Sequence, residues 1–336
     1  MMNDAPPASF WKDAILRRGW AYSTLVIVLL AAATLVTGFA REHWIADILA
    51  NLRVQQQLAA LLLVLICGAF RRWLWMLVPL ACLMIHLPWF LPAAPRPSVS
   101  ENFPMITVAC CNVKSSNANY QQAINSVLEK DPDVFVMLEI TSHWADEIRH
   151  ATESEYPYRI VRPSDTGNFG IAVYSKSPIE QSDIFQLNEA IYSIEVVIKV
   201  EERAYRVIGT HPLPPVGKTN ARSRNEHLRR LAERIRQPQL EMGDHSAIVI
   251  GDFNLTPWSP YYRDFELASG LYRDRRGIDL TPTWYVLPTF PFGLALDHSF
   301  SSGDLSPGYV HVGNSIGSDH RCISTLYWGN HPGVED

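Results

Sequence analysis

The stretch Gly251-Asp252-Phe253-Asn254 follows the β-branched run Ile248-Val249-Ile250. This order reads as a buried strand that delivers a carboxylate and a carboxamide at its C-terminal end. Two residues apart on an extended chain, the side chains of Asp252 and Asn254 point the same way. Gly251 admits a close backbone neighbour, and Thr256-Pro257 turns the chain out of the sheet. An acid and an amide on a rigid strand end suit an anionic, metal-assisted reaction. A buried Asp that only caps the next turn is the alternative. Groups of the same kind recur where other apolar runs stop. Asn112 closes residues 105–112, Glu139 closes 134–139, and His211 follows 204–209. Asp297 lies in 295–301, and Asp319-His320 precedes 322–326. Taken singly, each has an ordinary explanation as a turn former, a helix starter or a surface histidine. Six strand ends that all offer Asn, Asp, Glu or His point to one site.

The elements that must hold these groups alternate. Strands are expected at 105–112, 134–139, 168–174, 191–200, 204–209, 247–251, 295–301, 309–312 and 322–326. Helices are expected at 120–130, 142–151 and 225–235, the last with Leu228, Leu231, Ala232 and Ile235 on one face. Strands outnumber helices and many are continuous apolar runs, as in sheets buried on both faces. The fold class expected for residues 104–330 is α/β (α+β), a two-sheet sandwich flanked by helices.

These residues, in this order, resemble the endonuclease/exonuclease/phosphatase superfamily. The resemblance rests on Asn112, Val136-Met137-Leu138-Glu139, Gly170-Ile171-Ala172-Val173-Tyr174-Ser175, Thr210-His211, Gly251-Asp252-Phe253-Asn254, Leu296-Asp297 and Ser318-Asp319-His320. It covers about residues 104–328. His211-Pro212, Thr256-Pro257-Trp258-Ser259, Thr283-Trp284 and Gly317-Ser318-Asp319-His320 further resemble a bacterial branch with N-terminal membrane helices. The resemblance implies in-line hydrolysis of a phosphate ester with Mg²⁺ or Mn²⁺ as cofactor. It places the metal on Glu139 with Asn112 nearby, and Asp319 as a further ligand or the holder of a second ion. His320, oriented by Asp297, is the usual candidate general base, and Asp252 is the competing one. Asn254 would orient the nucleophile and His211 would donate to a non-bridging oxygen. Asn112, His211 and Trp284 are the expected substrate contacts. Where the family's second motif often carries Gln before its Glu, Leu138 stands here, which removes a hydrogen bond and no metal ligand.

The rest of the chain concerns location. Residues 1–19 form a polar tail, and three apolar segments follow at 21–40, 54–70 and 73–91, the second blunted by Gln55, Gln56 and Gln57. About three transmembrane helices over 20–92 are expected, with the lipid bilayer as partner. Residues 93–103, rich in proline, are expected to form a stiff linker. Lys12, Arg17 and Arg18 before the first segment, and Arg71-Arg72 before the third, belong on the cytoplasmic side. With three spans this puts the C-terminal domain outside the inner (cytoplasmic) membrane of a bacterium, in the periplasm of a Gram-negative one. Without the second span the side reverses.

The formal net charge of -5 conceals an asymmetry. Residues 1–100 hold eight Lys/Arg against four Asp/Glu, and residues 101–336 hold 21 against 30. An acidic domain argues against nucleic acid held by phosphate neutralisation, although bound divalent cations change the local field. A phospholipid or another small phosphodiester fits better, and an extracytoplasmic nuclease is the alternative. A non-catalytic scaffold of the same fold would have lost Asp252, Asn254, Asp319 or His320. No protein partner is implied. The run Arg222, Arg224, Arg229, Arg230, Arg234 and Arg236 reads either as a polyanion surface or as a helix face paired with Glu226 and Glu233. The five cysteines show no zinc spacing and read as small buried residues, with adjacent Cys110 and Cys111 on opposite strand faces.

Overall fold

A computed structural model describes residues 8–92, 95–97, 103–188, 191–201, 203–237, 246–275, 277–285, 287 and 292–329. Residues 1–7 of the expected tail, and 93, 94 and 98–102 of the expected linker, lie outside them. The chain divides into two compact units, Met1–Leu91 and Pro92–Asp336.

The first unit is helical: α1 (Ala8–Thr37), α2 (Trp44–Asn51), α3 (Arg53–Ala69) and α4 (Trp73–His86). Leu16–Thr37 and Trp73–Phe90 are each long and apolar enough to cross a membrane. A third crossing arises if α2 and α3, bent by 64° at their junction, act as one broken span. The glutamines that blunt the second segment face inward. Gln57 donates to the Leu83 carbonyl at 3.2 Å, and Gln56 donates to Leu49 at 2.8 Å. The Gln56 side-chain oxygen lies 3.2 Å from His86 Nε2, which also meets Thr34 Oγ1 at 3.3 Å. These bonds knit α1, α3 and α4, which is how polar side chains are accommodated in an apolar bundle.

The second unit runs β1 (Phe103–Asn112), α5 (Tyr120–Leu128), β2 (Val134–Leu138), α6 (Ser142–Thr152), β3 (Tyr158–Arg162) and β4 (Ile171–Ser175). It continues β5 (Ile179–Asn188), β6 (Ile191–Val200), β7 (Arg203–Thr210), α7 (Lys218–Arg236), β8 (Ser246–Asp252) and α8 (Pro260–Ser269). Short strands follow, β9 (Tyr272–Arg273), β10 (Trp284–Tyr285) and β11 (Gly293–Leu294), then β12 (Asp297–Ser301), β13 (Ser306–Pro307), β14 (His311–Val312) and β15 (Ile323–Gly329). One sheet has the order β13-β15-β1-β2-β4-β3, with β14 on β15; the other has β5-β6-β7-β8-β12-β9. The expected two-sheet sandwich with outer helices is therefore what forms.

Alternation along the strands sets the layers. Val108, Cys110, Val136, Leu138 and Val173 meet Ile194, Val196, Val207, Ile248 and Ile250 between the sheets. Ala109, Cys111, Phe135 and Met137 pack outward on α5 and α6, and Val249 packs outward on α7 and α8. Close approach is built in at two glycines. A Cβ on Gly251 would lie 1.9 Å from the Thr210 carbonyl oxygen, and one on Gly209 would lie 2.8 Å from Val136 Cγ1 of the facing sheet.

Several elements depart from the expectation. β3, β5, α8 and β9–β11 are additional. β5 is an edge strand exposed along most of its length, so it lacks the apolar run of a buried strand. Residues 309–312 shrink to β14. All five cysteines are buried, as expected, but two of them are joined: Cys111 and Cys322 form a disulfide, and Cys67, Cys82 and Cys110 are free. β1 and β15 pair antiparallel with Cys110 opposite Ile323, so the next pair outward is Cys111 and Cys322. A register of this kind is invisible in composition.

Arg96, within the expected linker, is clamped into the second unit. Its guanidinium donates to Asp274 Oδ1 at 3.2 Å, to the Leu305 carbonyl at 2.8 Å and to the Arg273 carbonyl at 3.2 Å. Asp274 is fully buried and also accepts from Tyr327 OH at 2.6 Å.

Candidate active site

Topology brings all six expected positions to one end of the sandwich. β1 and β2 are parallel, so Asn112 and Glu139 emerge together, and antiparallel β15 begins beside them. β7 and β8 are likewise parallel, and antiparallel β12 starts where β8 ends, with Asp297 opposite Asp252.

Asn112 joins the two sheets. Fully buried, it donates through Nδ2 to Glu139 Oε1 at 3.0 Å and to Asp252 Oδ2 at 3.2 Å. Asp252 Oδ2 further lies 3.4 Å from His211 Nε2 and 3.5 Å from His320 Nε2. The other face of the His320 ring meets Asp297 at 2.8 Å, Nδ1 to Oδ2. Asp297 is set by Thr283, whose hydroxyl accepts from the Leu296 and Asp297 N–H groups, each at 3.0 Å. The Phe169 ring stacks obliquely on His211, 5.4 Å between centroids.

Two site residues occupy left-handed backbone. Glu139 has φ 60° and Asn254 has φ 52°. The extended geometry expected from Asp252 to Asn254 gives way to a turn: β8 ends at Asp252, and Asp252 Oδ1 accepts from the Asn254 N–H at 2.9 Å. The Asn254 side chain donates to the Pro212 carbonyl at 3.0 Å, and Arg224 donates to the Asn254 carbonyl at 2.9 Å. Non-glycine residues in this region cost about 1–3 kcal/mol and collect at functional sites.

Charge balance follows from these contacts. Burial alone would lower the His320 pKa, but Asp297 and Asp252 outweigh it and raise the imidazole to about 10. Burial would raise the Asp252 carboxyl, yet His320, His211 and the Asn254 N–H hold it below the usual carboxylate range. Placed between two carboxylates, His320 favours its imidazolium form. Its contribution to stability is complete below the unfolded-state value of about 6.5 and disappears as pH rises through the folded value. The Asp252 contribution is complete above about pH 4 and disappears on acidification. We expect the melting temperature of wild type to fall on raising the pH from 7 to 10, and this fall to flatten in His320→Gln. Equal alkaline slopes in the two proteins would contradict the assignment.

Oxygen donors at Glu139 and Asn112, on adjacent strand ends and in mutual contact, are the donor set that hard divalent cations take. Asp252, Asp297 and His320 also converge, with ligand atoms within 4.8 Å of one another, but the His320 Nδ1 is already engaged by Asp297 at 2.8 Å. Asp319 is placed differently. It accepts from Trp284 Nε1 at 3.2 Å and lies 3.6 Å from Lys114 Nζ. Lys114, a left-handed residue whose N–H donates to Asn112 Oδ1 at 3.1 Å, is a rim cation that the sequence reading passed over. Its position two residues after Asn112 was the available signal. The arginine run divides: Arg229 and Arg230 pair with Glu226 on the helix itself, Arg234 binds Asp183 and Glu195 of β5 and β6, and Arg224 is buried against the Asn254 carbonyl.

Residues 109–320 match the Endonuclease/Exonuclease/phosphatase family. The chain belongs to that family. No curated relative matches it. Among solved structures, an endonuclease/exonuclease/phosphatase family protein from Bacteroides thetaiotaomicron is similar at 19% identity and TM-score 0.53, over 68% of this chain and 100% of that one. TDP2 of D. rerio, complexed with single strand DNA product, is similar at 16% identity and TM-score 0.54, over 66% and 98%. A beta toxin mutant from Staphylococcus aureus with bound magnesium ions is similar at 17% identity and TM-score 0.51, over 67% and 100%. At these identities the likeness carries the fold. The family match begins at residue 109, so the helical unit lies outside it.

Proposed function

We propose that this chain is a membrane-anchored, divalent-metal-dependent phosphoesterase, acting on phosphodiesters in preference to monoesters. The observation that carries the reading is the Asn112 amide, which bonds Glu139 of its own sheet and Asp252 of the other beside the His320–Asp297 pair. Glu139 and Asn112 would hold the Mg²⁺ or Mn²⁺ ion, and Asp319 stands as a further donor at the rim. Held there, the ion would supply Lewis-acid polarisation of a phosphoryl oxygen and neutralise charge on the leaving one.

The protein's own groups divide the remaining work. Asp252, kept ionised, takes the proton of the attacking water as its oxygen bonds to phosphorus and the ester P–O bond breaks in line. His320, kept charged by Asp297, neutralises the phosphoryl oxygens as negative charge shifts to the leaving group. His211 donates to a non-bridging oxygen, and the Asn254 amide orients the water. Of the two bases the sequence leaves open, the charge balance favours Asp252. Trp284, half-buried at the rim, offers a ring edge to the substrate.

The acidic second unit favours a phospholipid or a small phosphodiester over nucleic acid. The positive residues flanking the helices support a cytoplasmic N-terminus and an extracytoplasmic second unit. The Cys111–Cys322 disulfide agrees with that side, since disulfides persist in oxidising compartments.

The test uses the full chain in detergent with an aryl phosphodiester and the matching monoester. Turnover with Mg²⁺ or Mn²⁺, lost on chelation and restored by adding metal back, is expected, with the diester faster. A folded chain that hydrolyses neither ester and binds neither metal refutes the reading.

A further inference from the structure

Resting on the phosphoesterase reading, a second assignment concerns the two bridged cysteines. The backbone ladder between β1 and β15 stops at Cys110 and Ile323. Beyond it, β1 keeps only its parallel partner β2, through Asn112 opposite Leu138. The opposite chain, residues 316–322, leaves the sheet to present Asp319 and His320. Two direct ties then join Cys111 and Asn112 to this segment, whose residues 319–321 are otherwise held on 283–285 by backbone bonds from the Tyr285 N–H to the Asp319 carbonyl at 2.9 Å and from the Arg321 N–H to the Thr283 carbonyl at 2.8 Å. One is a hydrogen bond from Ser318 Oγ to the Asn112 carbonyl at 2.9 Å. The other is the Cys111–Cys322 disulfide, one residue from Asn112 and two from His320.

We propose that Cys111 and Cys322 are positioning residues whose bridge sets Asn112 against His320, making hydrolysis dependent on their oxidised state. Asn112 reaches Asp252 at 3.2 Å and His320 Nε2 lies 3.5 Å from the same oxygen, so Asp252 measures the registry of both segments. Where the hydrogen-bonded ladder has ended, a covalent link supplies the registry that paired backbone supplies elsewhere. Preorganisation of this kind is sensitive to displacements of an ångström or less. Both residues are buried, Cys111 at 0% and Cys322 at 2% exposure, so a dithiol reaches the bridge only on local opening of the segment and reduction is slow. Neighbouring Cys110 points into the inter-sheet core, on the other strand face, and burial pushes its thiol well up, so it does not compete. Reduction by a dithiol breaks the S–S bond. Two electrons and two protons pass to the sulfurs of Cys111 and Cys322, and the dithiol closes to its own disulfide.

The experiment compares full-length wild type with Cys111→Ala/Cys322→Ala in detergent, at a temperature well below both melting points. Circular dichroism reports the fold. The expected result is a folded variant whose kcat on the aryl diester is reduced about tenfold or more, with KM changed less. In wild type, activity should fall in step with the thiols released by dithiothreitol and return on reoxidation. A folded variant with wild-type kcat and a lower melting temperature overturns the proposal, because the bridge then serves stability only. A variant that fails to fold leaves wild-type reduction to decide: activity retained with both thiols free, or lost only as the fold is lost, overturns it equally. Absence of turnover in oxidised wild type would instead refute the phosphoesterase reading.

Discussion

Asp252→Asn is expected to lower kcat on an aryl phosphodiester by on the order of 10³-fold, the range over which a positioned proton acceptor acts. The side chain keeps its shape, so the buried turn is retained and the protein folds. What changes is the charge: among the described residues, Asp252 is the only carboxylate placed against Asn112, His211 and His320 together. The acid limb of the rate profile should vanish with it. His320→Asn is expected to cost on the order of 10²-fold while leaving the acid limb in place, because it removes a charged donor and not the proton acceptor. If Asp252→Asn retained activity within tenfold of wild type and His320→Asn did not, His320 would be the base.

The second large effect is on stability. Arg96→Met is expected to destabilise the second unit by about 3 kcal/mol, the usual cost of stranding a buried charge. Asp274, fully buried, would keep Tyr327 OH and the Ser301 hydroxyl but lose its cation. For a unit of this size that is a shift of about 6–12 °C in melting temperature. Adding Asp274→Asn should recover part of the loss, since the amide carries no charge to strand. A shift of a degree or less in the single variant would show that the clamp contributes nothing. The effect also bears on where the unit begins: a soluble fragment lacking Arg96 loses the same contacts.

Much of the site was legible because buried strands read as apolar runs and their first polar residue marks an end. Asn112, Asp252 and His211 were found this way, and the parallel and antiparallel pairings then explain why they meet. Backbone hand was not legible. Glu139 and Asn254 sit at positive φ, which residue type alone does not announce outside glycine. Register was not legible either, so the bridge from Cys111 to Cys322 and the bond from Trp284 to Asp319 came only with the fold. α8 was available and overlooked. Ser259 caps it, Pro260 occupies its first turn and Gly270 ends it in the left-handed region, the ordinary punctuation of a short helix. β5 carried no such signal, because an edge strand needs few apolar residues. In the apolar N-terminal segments the glutamines looked like a weakness. Their inward bonds to Leu49 and Leu83 make them part of the packing.

The bond from Asn112 to Asp252 spans two sheets whose described strands do not pair with one another. The spacing of those sheets is fixed by the side chains between them, down to Val136 against Gly209. The site is therefore a gauge of core thickness. A methyl group added or removed in that layer would shift one half of the machinery against the other without touching either. Such an exchange costs about 0.5–3 kcal/mol in stability, and here a further penalty would surface in catalysis. The interior of this sandwich is held to the tolerance of its chemistry, and the range of sequences that fold is wider than the range that works.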